Sequence, residues 1–139
     1  MHSYLVSLRI SGKTLDPSII TSELGIEPTQ VRIKGQPRPG GSSAWDESMW
    51  EYEAKGSNGG RDWPSLEQGL QALLSMFASR RTTLQEYQQR FKVSLFCGHF
   101  TSSFDGGPTL SPSLLEELAD FGVELFLDTY YSGKSASGA

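Results

Sequence analysis

The 139-residue chain is long enough for one domain with an apolar core, and its single cysteine can form no internal disulfide. Its formal net charge of −4 argues against a general nucleic-acid-binding protein, which normally carries a surplus of basic residues. No apolar run approaches the roughly 20 residues that cross a bilayer, and the amino terminus lacks the pattern of a secretory signal, so we expect a cytoplasmic protein.

The first part of the chain predicts a strand followed by a short helix. Residues 4–10 alternate apolar and polar side chains, which is typical of a strand with one buried face. Asp16 can accept hydrogen bonds from free amide groups at a helix start, and Pro17 has the backbone angle of a first helical position. Gly25 can take the left-handed conformation that ends such a helix.

Two later stretches alternate in the same way and predict further strands at 31–34 and 45–55. The loop between them, residues 36–43, contains two prolines and two glycines, which favour turns over regular structure. Leucines and a phenylalanine keep helical spacing over residues 66–77 and predict a helix. A second helical piece extends this pattern to Phe91.

The carboxyl-terminal part of the chain has the clearest pattern of strand, loop, helix and strand. Residues 92–100 are rich in β-branched and aromatic side chains, and residues 123–128 alternate apolar and polar ones. Between them, Ser111 and Pro112 predict a helix start and Gly122 predicts its end. A βαβ unit of this length usually returns its second strand parallel to the first, with or without another strand between them.

The same helix-start sequence occurs in both halves of the chain. Leu15-Asp-Pro-Ser-Ile-Ile20 and Leu110-Ser-Pro-Ser-Leu-Leu115 each follow a predicted strand, which indicates two βαβ-like halves; a chance recurrence of common capping residues is the alternative. We therefore predict a single-domain α+β sandwich over residues 1–131, with a mixed or antiparallel sheet of about five strands, helices packed on it and a ferredoxin-like pseudo-repeat. The small, polar residues 132–139 are expected to form a disordered tail.

Few residues suggest chemistry. Cys97 and His99 lie on one face of a predicted strand, where a thiol beside an imidazole could form a nucleophile pair or part of a metal site. Because Cys97 shares the parity of the apolar residues of that strand, we favour a buried, apolar role for it. The alternating Glu51 and Glu53 fit a half-solvated strand better than an acid–base pair. The glycine-rich stretches match no phosphate-binding motif, so we expect no catalytic residue, metal or cofactor.

Apolar side chains of the opposite parity gather on the other face of the predicted sheet. They are Leu5, Phe96, Phe100, Phe126 and Tyr130. A patch of this size is too large to remain in contact with water. We expect it to be covered by the helix at 66–77, by a second copy of the chain, or by a different protein.

Short motifs along nearly the whole chain resemble a known family. They are Ser7-Leu-Arg-Ile-Ser-Gly12, Leu24-Gly-Ile-Glu-Pro-Thr29, Trp45-Asp-Glu-Ser-Met-Trp50, the run from Leu110 to Leu118, and Leu127-Asp-Thr-Tyr130. In order and spacing, these motifs resemble a bacterial domain-of-unknown-function family, number 4279 (DUF4279). The resemblance implies a small, bacterial, cytosolic domain with relatives that are candidate immunity proteins beside polymorphic toxins. It supplies no catalytic residues.

A protein-binding module is the function that we expect, and an immunity protein that occludes a cognate toxin is the specific hypothesis. Tight inhibitory interfaces use aromatic anchors and complementary charge. The expected contacts are therefore Trp45, Trp50, Glu116, Glu117 and Asp120, with a place in the core as the alternative for Trp50. Six carboxylates and no Lys or Arg lie between residues 105 and 131, which suits a basic partner.

A small-molecule sensing domain that acts as a homodimer is the alternative function. Paired ferredoxin-like domains often bind ligands at their interface, and Arg32, Lys34 and Arg38 would then be the contacts for an anion. An enzyme is the third class of function, and we favour it least.

Overall fold

Five strands form one mixed sheet in the computed structural model of the protein, which describes residues 2–41, 43–56 and 59–132. The strands are β1 (His2–Gly12), β2 (Gln30–Arg32), β3 (Ser48–Glu53), β4 (Lys92–Thr101) and β5 (Glu124–Tyr131). The helices are α1 (Pro17–Leu24), α2 (Leu66–Phe77), α3 (Arg81–Tyr87) and α4 (Pro112–Phe121), and a 3₁₀ turn at Ala78–Arg80 joins α2 to α3. The tail expected at 132–139 lies outside the described residues apart from Ser132.

The strands follow the order β2-β3-β1-β4-β5 across the sheet. The β2–β3, β3–β1 and β1–β4 pairs are antiparallel, whereas β4 and β5 are parallel neighbours connected through α4. The predicted α+β class and the predicted parallel return of the second βαβ unit are therefore confirmed. The ferredoxin-like order is not confirmed, because β4 and β5 lie side by side rather than split by a strand of the other half.

The predicted start and stop of α1 and α4 are confirmed by their caps. Asp16 accepts a hydrogen bond from the backbone N–H of Ser18 at 3.0 Å, and Ser111 accepts one from Leu114 at 3.2 Å. Gly25 and Gly122 end these helices with φ of 70° and 69°, in the left-handed region that glycine occupies without steric cost. The two halves thus share their capping chemistry.

The apolar core lies between the helices and one face of the sheet. A small internal cavity of about 10 Å³ marks where the layers meet. It is lined by residues of β1, α2, α3, β4 and α4, among them Leu8, Leu73, Leu84, Leu95 and Phe121. Helix α2 therefore packs on the same face as the other helices. Of the three covers considered for the opposite, aromatic face, the helix at 66–77 is therefore excluded.

Trp50 is part of this core. Its exposed fraction is 0%, its ring meets Phe77 edge to face at 6.3 Å between centroids, and its Nε1 donates to Thr21 Oγ1 at 3.0 Å. A side chain that is completely buried in the folded protein cannot contact a partner. The assignment of Trp50 as a partner contact is therefore corrected to the alternative role in the core.

No helix in the described part of the chain is both long enough and apolar enough to cross a membrane.

Candidate functional site: the open face of the sheet

The face of the sheet that points away from the helices is the candidate functional site, and we call it the open face. It carries the side chains that alternate with the core positions on each strand. Neighbouring strands place Ser7 opposite Phe96, Phe96 opposite Phe126, and Arg9 opposite Glu51. In the described residues, no helix packs on this face.

Two stacked aromatic pairs run along the open face of β4 and β5, and we call them the aromatic stripe. Phe96 and Phe126 have ring centroids 5.8 Å apart, and Phe100 and Tyr130 have centroids 5.0 Å apart. Phe126 is 53% exposed and Tyr130 is 46% exposed. The structure thus places the predicted apolar patch on the open face and leaves it accessible, with Leu5 half-buried beside it.

Carboxylates alternate with these rings on β5. Along the open face of this strand the order is Glu124, Phe126, Asp128 and Tyr130. Asp128 accepts a hydrogen bond from the Tyr130 hydroxyl at 2.6 Å, and Glu124 lies 3.7 Å from Lys92 Nζ in an exposed ion pair. Strand β5 is also an end strand of the sheet, and no described residue pairs with its outer edge.

A buried carboxylate lies in the middle of the open face. Glu51, only 7% exposed, accepts hydrogen bonds from Ser7 Oγ at 2.7 Å and from Arg9 Nε at 2.8 Å. The Arg9 guanidinium also lies over the Phe96 ring, 3.8 Å from its centroid. The sequence pattern predicted a half-solvated Glu51. In the structure, the hydrogen bonds from Ser7 and Arg9 instead stabilise the charge of Glu51 in a buried position.

Four cationic side chains surround a cavity of about 310 Å³ at one end of the open face, and we call it the cationic cavity. The cationic residues are Arg9, Arg32, Arg38 and Lys92, and the lining also includes Asp46 and Glu47. The guanidinium groups of Arg32 and Arg38 lie over the Trp45 ring, at 4.3 and 4.9 Å from its centroid. Two of the three predicted anion contacts thus come together here. Lys34 is exposed and does not line the cavity.

The predicted acidic contacts lie on the other side of the molecule. Glu116, Glu117 and Asp120 are on α4, whose buried residues Leu114 and Phe121 face the core. Asp120 is 3.6 Å from Arg81, a basic residue that comes from another part of the chain. The structure therefore does not bring these carboxylates together with Trp45, and one flat interface cannot include both groups.

Sequence reasoning missed Arg9 and Lys92 as members of the cationic cavity. The parity of Arg9, between the buried Leu8 and Ile10, already indicated that it points away from the core. What the sequence lacked was the register that places β2, β1 and β4 in one sheet. Without that register, basic residues from four separate segments could not be assigned to one site.

Cys97 is fully buried, as its parity predicted. Burial raises the pKa of its thiol to about 12, so the thiol is protonated at neutral pH and packs as a small apolar residue. Among the described residues, no group of three or more His, Cys, Asp or Glu side chains is arranged to hold a metal ion.

His99 forms a buried polar contact beside the core. It stacks on Tyr4 with ring centroids 4.6 Å apart, and its Nε2 lies 2.8 Å from His2 Nδ1. Since His2 Nε2 is 3.0 Å from the Asp105 carbonyl oxygen, that nitrogen must donate, and Nδ1 of a neutral His2 accepts from His99. Burial, together with the charge of His2, lowers the pKa of His99 below its usual value of 6.5.

This pair predicts a loss of stability in acid. Because the pKa of His99 is lower in the folded state, the unfolded chain binds its proton first, and the free energy of unfolding falls as the pH drops below 6.5. We expect the melting temperature to decrease between pH 7 and pH 5, and His99→Phe to reduce that decrease. Calorimetry over this range measures the melting temperature, with His2→Gln as the variant that removes the neighbouring imidazole, both its charge and its contacts with His99. An unchanged pH dependence in His99→Phe would contradict the assignment.

Comparison with known proteins places this fold and site in a family. No curated protein and no solved structure matches the chain. The family model described as "Domain of unknown function (DUF4279)" matches residues 2–132, which is nearly the whole chain. The five-stranded sheet, its helical layer and the open face all lie within that match. The chain therefore belongs to the DUF4279 family.

Proposed function

We propose that the protein is a binding module that takes an extended, basic segment of a partner protein along the outer edge of β5. The observation that carries this proposal is the alternation of carboxylates and aromatic rings on the open face of that strand: Glu124, Phe126, Asp128 and Tyr130. Side chains of an added strand would lie about 5 Å from these residues. Basic side chains would pair with the carboxylates, and apolar ones would pack on the rings.

No strand of the described residues pairs with the outer edge of β5, so within them this edge can accept such a strand. Natural sheets protect their edges with lysine, proline or a bulge, and β5 has neither lysine nor proline. Its register with β4 runs without interruption from Glu124 to Tyr131. Ser132 donates its N–H to the Thr101 carbonyl, so the even-numbered residues of β5 bond towards β4. The backbone groups of the odd-numbered residues, such as Leu127 and Thr129, therefore point outwards.

Charge argues for a different protein over a second copy of this chain. If two β5 edges paired with each other, Glu124 and Asp128 of each copy would approach like charges, which destabilises cross-strand pairs. The net charge of −4 adds to this repulsion. A basic partner is attracted by the same carboxylates, which speed its association and stabilise the bound complex.

Within this proposal, the partner class is a bacterial toxin with a basic surface, neutralised in the cytoplasm by occlusion. Occlusion needs only a tight contact, so it requires no reactive group on this chain. Aromatic side chains and complementary charge supply most of the binding energy in tight inhibitory complexes. The aromatic stripe and the carboxylates of β5 provide both.

Selection of peptides from a random phage-displayed library against the whole chain tests the proposal. We expect the selected peptides to carry Lys or Arg at every second position and apolar residues beside them. Amide chemical shifts of residues 124–131 should change when a selected peptide is added. Phe126→Lys with Tyr130→Lys should weaken binding at least about tenfold, because it removes the apolar contacts and repels the basic side chains.

Two further variants make this test specific. Thr129→Pro removes one outward N–H and leaves the bonds to β4, so it should weaken binding if the peptide adds as a strand. Leu115→Lys is the matched control, since Leu115 is 50% exposed but lies on α4, and binding should not change. Selected peptides without an excess of basic residues, or shift changes confined to α4, would overturn the proposal.

A further inference from the structure

We propose that the cationic cavity binds a small molecule through a carboxylate or phosphate group held by Arg9, Arg32 and Arg38. This inference rests on observations other than those at the edge of β5, and it stands whether or not that edge binds a protein.

Convergence of charge is the first of these observations. The four cationic residues come from β1, β2, the loop between β2 and β3, and β4. Two of them are already paired, Arg9 with Glu51 and Lys92 with Glu124, and the two carboxylates of the lining are on exposed residues. Within the described residues, Arg32 and Arg38 form no ion pair, so two guanidinium groups line one concave site where an anion would be attracted and held.

An unsatisfied donor is the second observation. Arg32 Nε is buried and has no hydrogen-bond partner within the described residues. A buried donor without an acceptor costs free energy, and native proteins rarely leave one. Because Arg32 lines the cationic cavity, a bound oxyanion would supply the missing acceptor.

The cationic groups are also held in place before any ligand arrives. Arg32 and Arg38 lie over the flat ring of Trp45, and Arg9 is fixed by Glu51 and by the Phe96 ring. Arg9 uses Nε for its hydrogen bond to Glu51, and its side chain is still 31% exposed. Side chains that are already ordered lose less entropy when they bind, so they bind more tightly.

The shape of the site indicates the class of ligand. A guanidinium group offers a planar fork of donors that matches the two oxygens of a carboxylate or a phosphate. The volume of about 310 Å³ is at the lower end of the range for small-molecule sites, which begins at about 300 Å³. The hydroxyl groups of Ser11 and Ser94 in the lining can donate to further oxygens of such a ligand.

Titration of the whole chain with inorganic phosphate and, separately, with citrate tests the inference and distinguishes the two anion chemistries. Both titrations are run at constant ionic strength, and calorimetry gives the affinity. The Nε–Hε signal of Arg32, assigned by its loss in Arg32→Gln, reports contact in NMR spectra. We expect saturation in the millimolar range with one of the two anions and a shift of that signal.

Matched variants locate the binding. Arg32→Gln with Arg38→Gln should weaken binding at least about tenfold, since each change removes charge-assisted hydrogen bonds. Arg90→Gln makes the same chemical change at an exposed residue outside the cavity and should leave the affinity unchanged. Asp46→Asn with Glu47→Gln should strengthen binding about threefold, because it removes two repelling charges from exposed positions.

The outcomes decide the inference directly. Saturable binding that follows the variants in this order supports it, and the better of the two probes identifies the anion group. The inference would be overturned if the heat of binding and the shift of the Arg32 signal were no larger with either anion than with sodium chloride at the same ionic strength. Equal affinities in the double arginine variant and in Arg90→Gln would overturn it as well.

Discussion

Replacement of Trp50 by alanine is expected to lower the free energy of unfolding by about 3–5 kcal/mol, the usual range for a buried tryptophan. The side chain has an exposed fraction of 0% and is among the largest that the fold buries completely. Its removal leaves a cavity beside Phe77 and deprives Thr21 of a hydrogen-bond donor. Since domains of this size are stable by about 5–15 kcal/mol, the variant should be close to unfolding.

Urea denaturation followed by circular dichroism measures this loss. Trp50→Phe keeps most of the apolar volume and should remain folded, with a smaller loss. Trp45→Ala is the matched control, because Trp45 is only half-buried and packs under the half-buried Arg32 and the exposed Arg38, whose cation–π contacts contribute about 0.5–1 kcal/mol each. If Trp50→Ala and Trp45→Ala lowered the free energy of unfolding by similar amounts, burial would not determine how much each tryptophan contributes to stability.

Trp50 shows what alternation along a strand can and cannot predict. Parity divides the residues of each strand into two faces, so the core positions of β1 and β4 and the aromatic stripe could be assigned from sequence. Parity does not say which face the helices cover. Helix α2 is strongly amphipathic, with Leu70 and Leu73 fully buried, yet this pattern is the same whichever face of the sheet it packs on.

Helix ends were predictable because their signals are local. A capping side chain, a proline at the first turn and a glycine at the end act within a few residues, so the limits of α1 and α4 follow from the sequence. The order of strands depends on contacts between distant segments. Repetition of the capping signals suggested a ferredoxin-like order, but it contains no information on whether β4 and β5 are adjacent.

The candidate sites were predictable only in part for the same reason. Arg32 and Arg38 lie close together in the chain and were grouped from sequence. Arg9 and Lys92 join them only through the register of β1 with β3 and β4. The acidic residues of α4 formed an isolated cluster in the sequence, yet folding brings Arg81 within 3.6 Å of Asp120. Charge counts along a chain therefore overstate the isolation of a cluster.

The hydrogen bonds of Glu51 to Ser7 and Arg9 exist only because β1 and β3 pair in this register, and their contribution to stability can be measured. Glu51→Ala is expected to lower the free energy of unfolding by about 2–3 kcal/mol, since a buried donor left without an acceptor costs about 1–3 kcal/mol. Two donors lose their acceptor, Ser7 Oγ and Arg9 Nε. The Ser7 residue is only 3% exposed, so its hydroxyl cannot turn to water. The cost at Arg9 is smaller, because its side chain is 31% exposed and water can solvate part of the guanidinium.

Glu53 provides the control for this prediction on the same strand. It also forms an ion pair, with Arg61 at 3.1 Å, but the Arg61 side chain is 73% exposed. Exposed pairs contribute about 0–1 kcal/mol, so Glu53→Ala should cost less than about 1 kcal/mol. Chemical denaturation of both variants, together with Arg9→Ala and the Arg9→Ala/Glu51→Ala double variant, completes the comparison. If Glu51 and Arg9 interact as the structure shows, the double variant should lose less stability than the sum of the single ones. Equal losses for Glu51→Ala and Glu53→Ala, with additive effects at Arg9, would mean that the hydrogen bonds of Glu51 contribute no net stability.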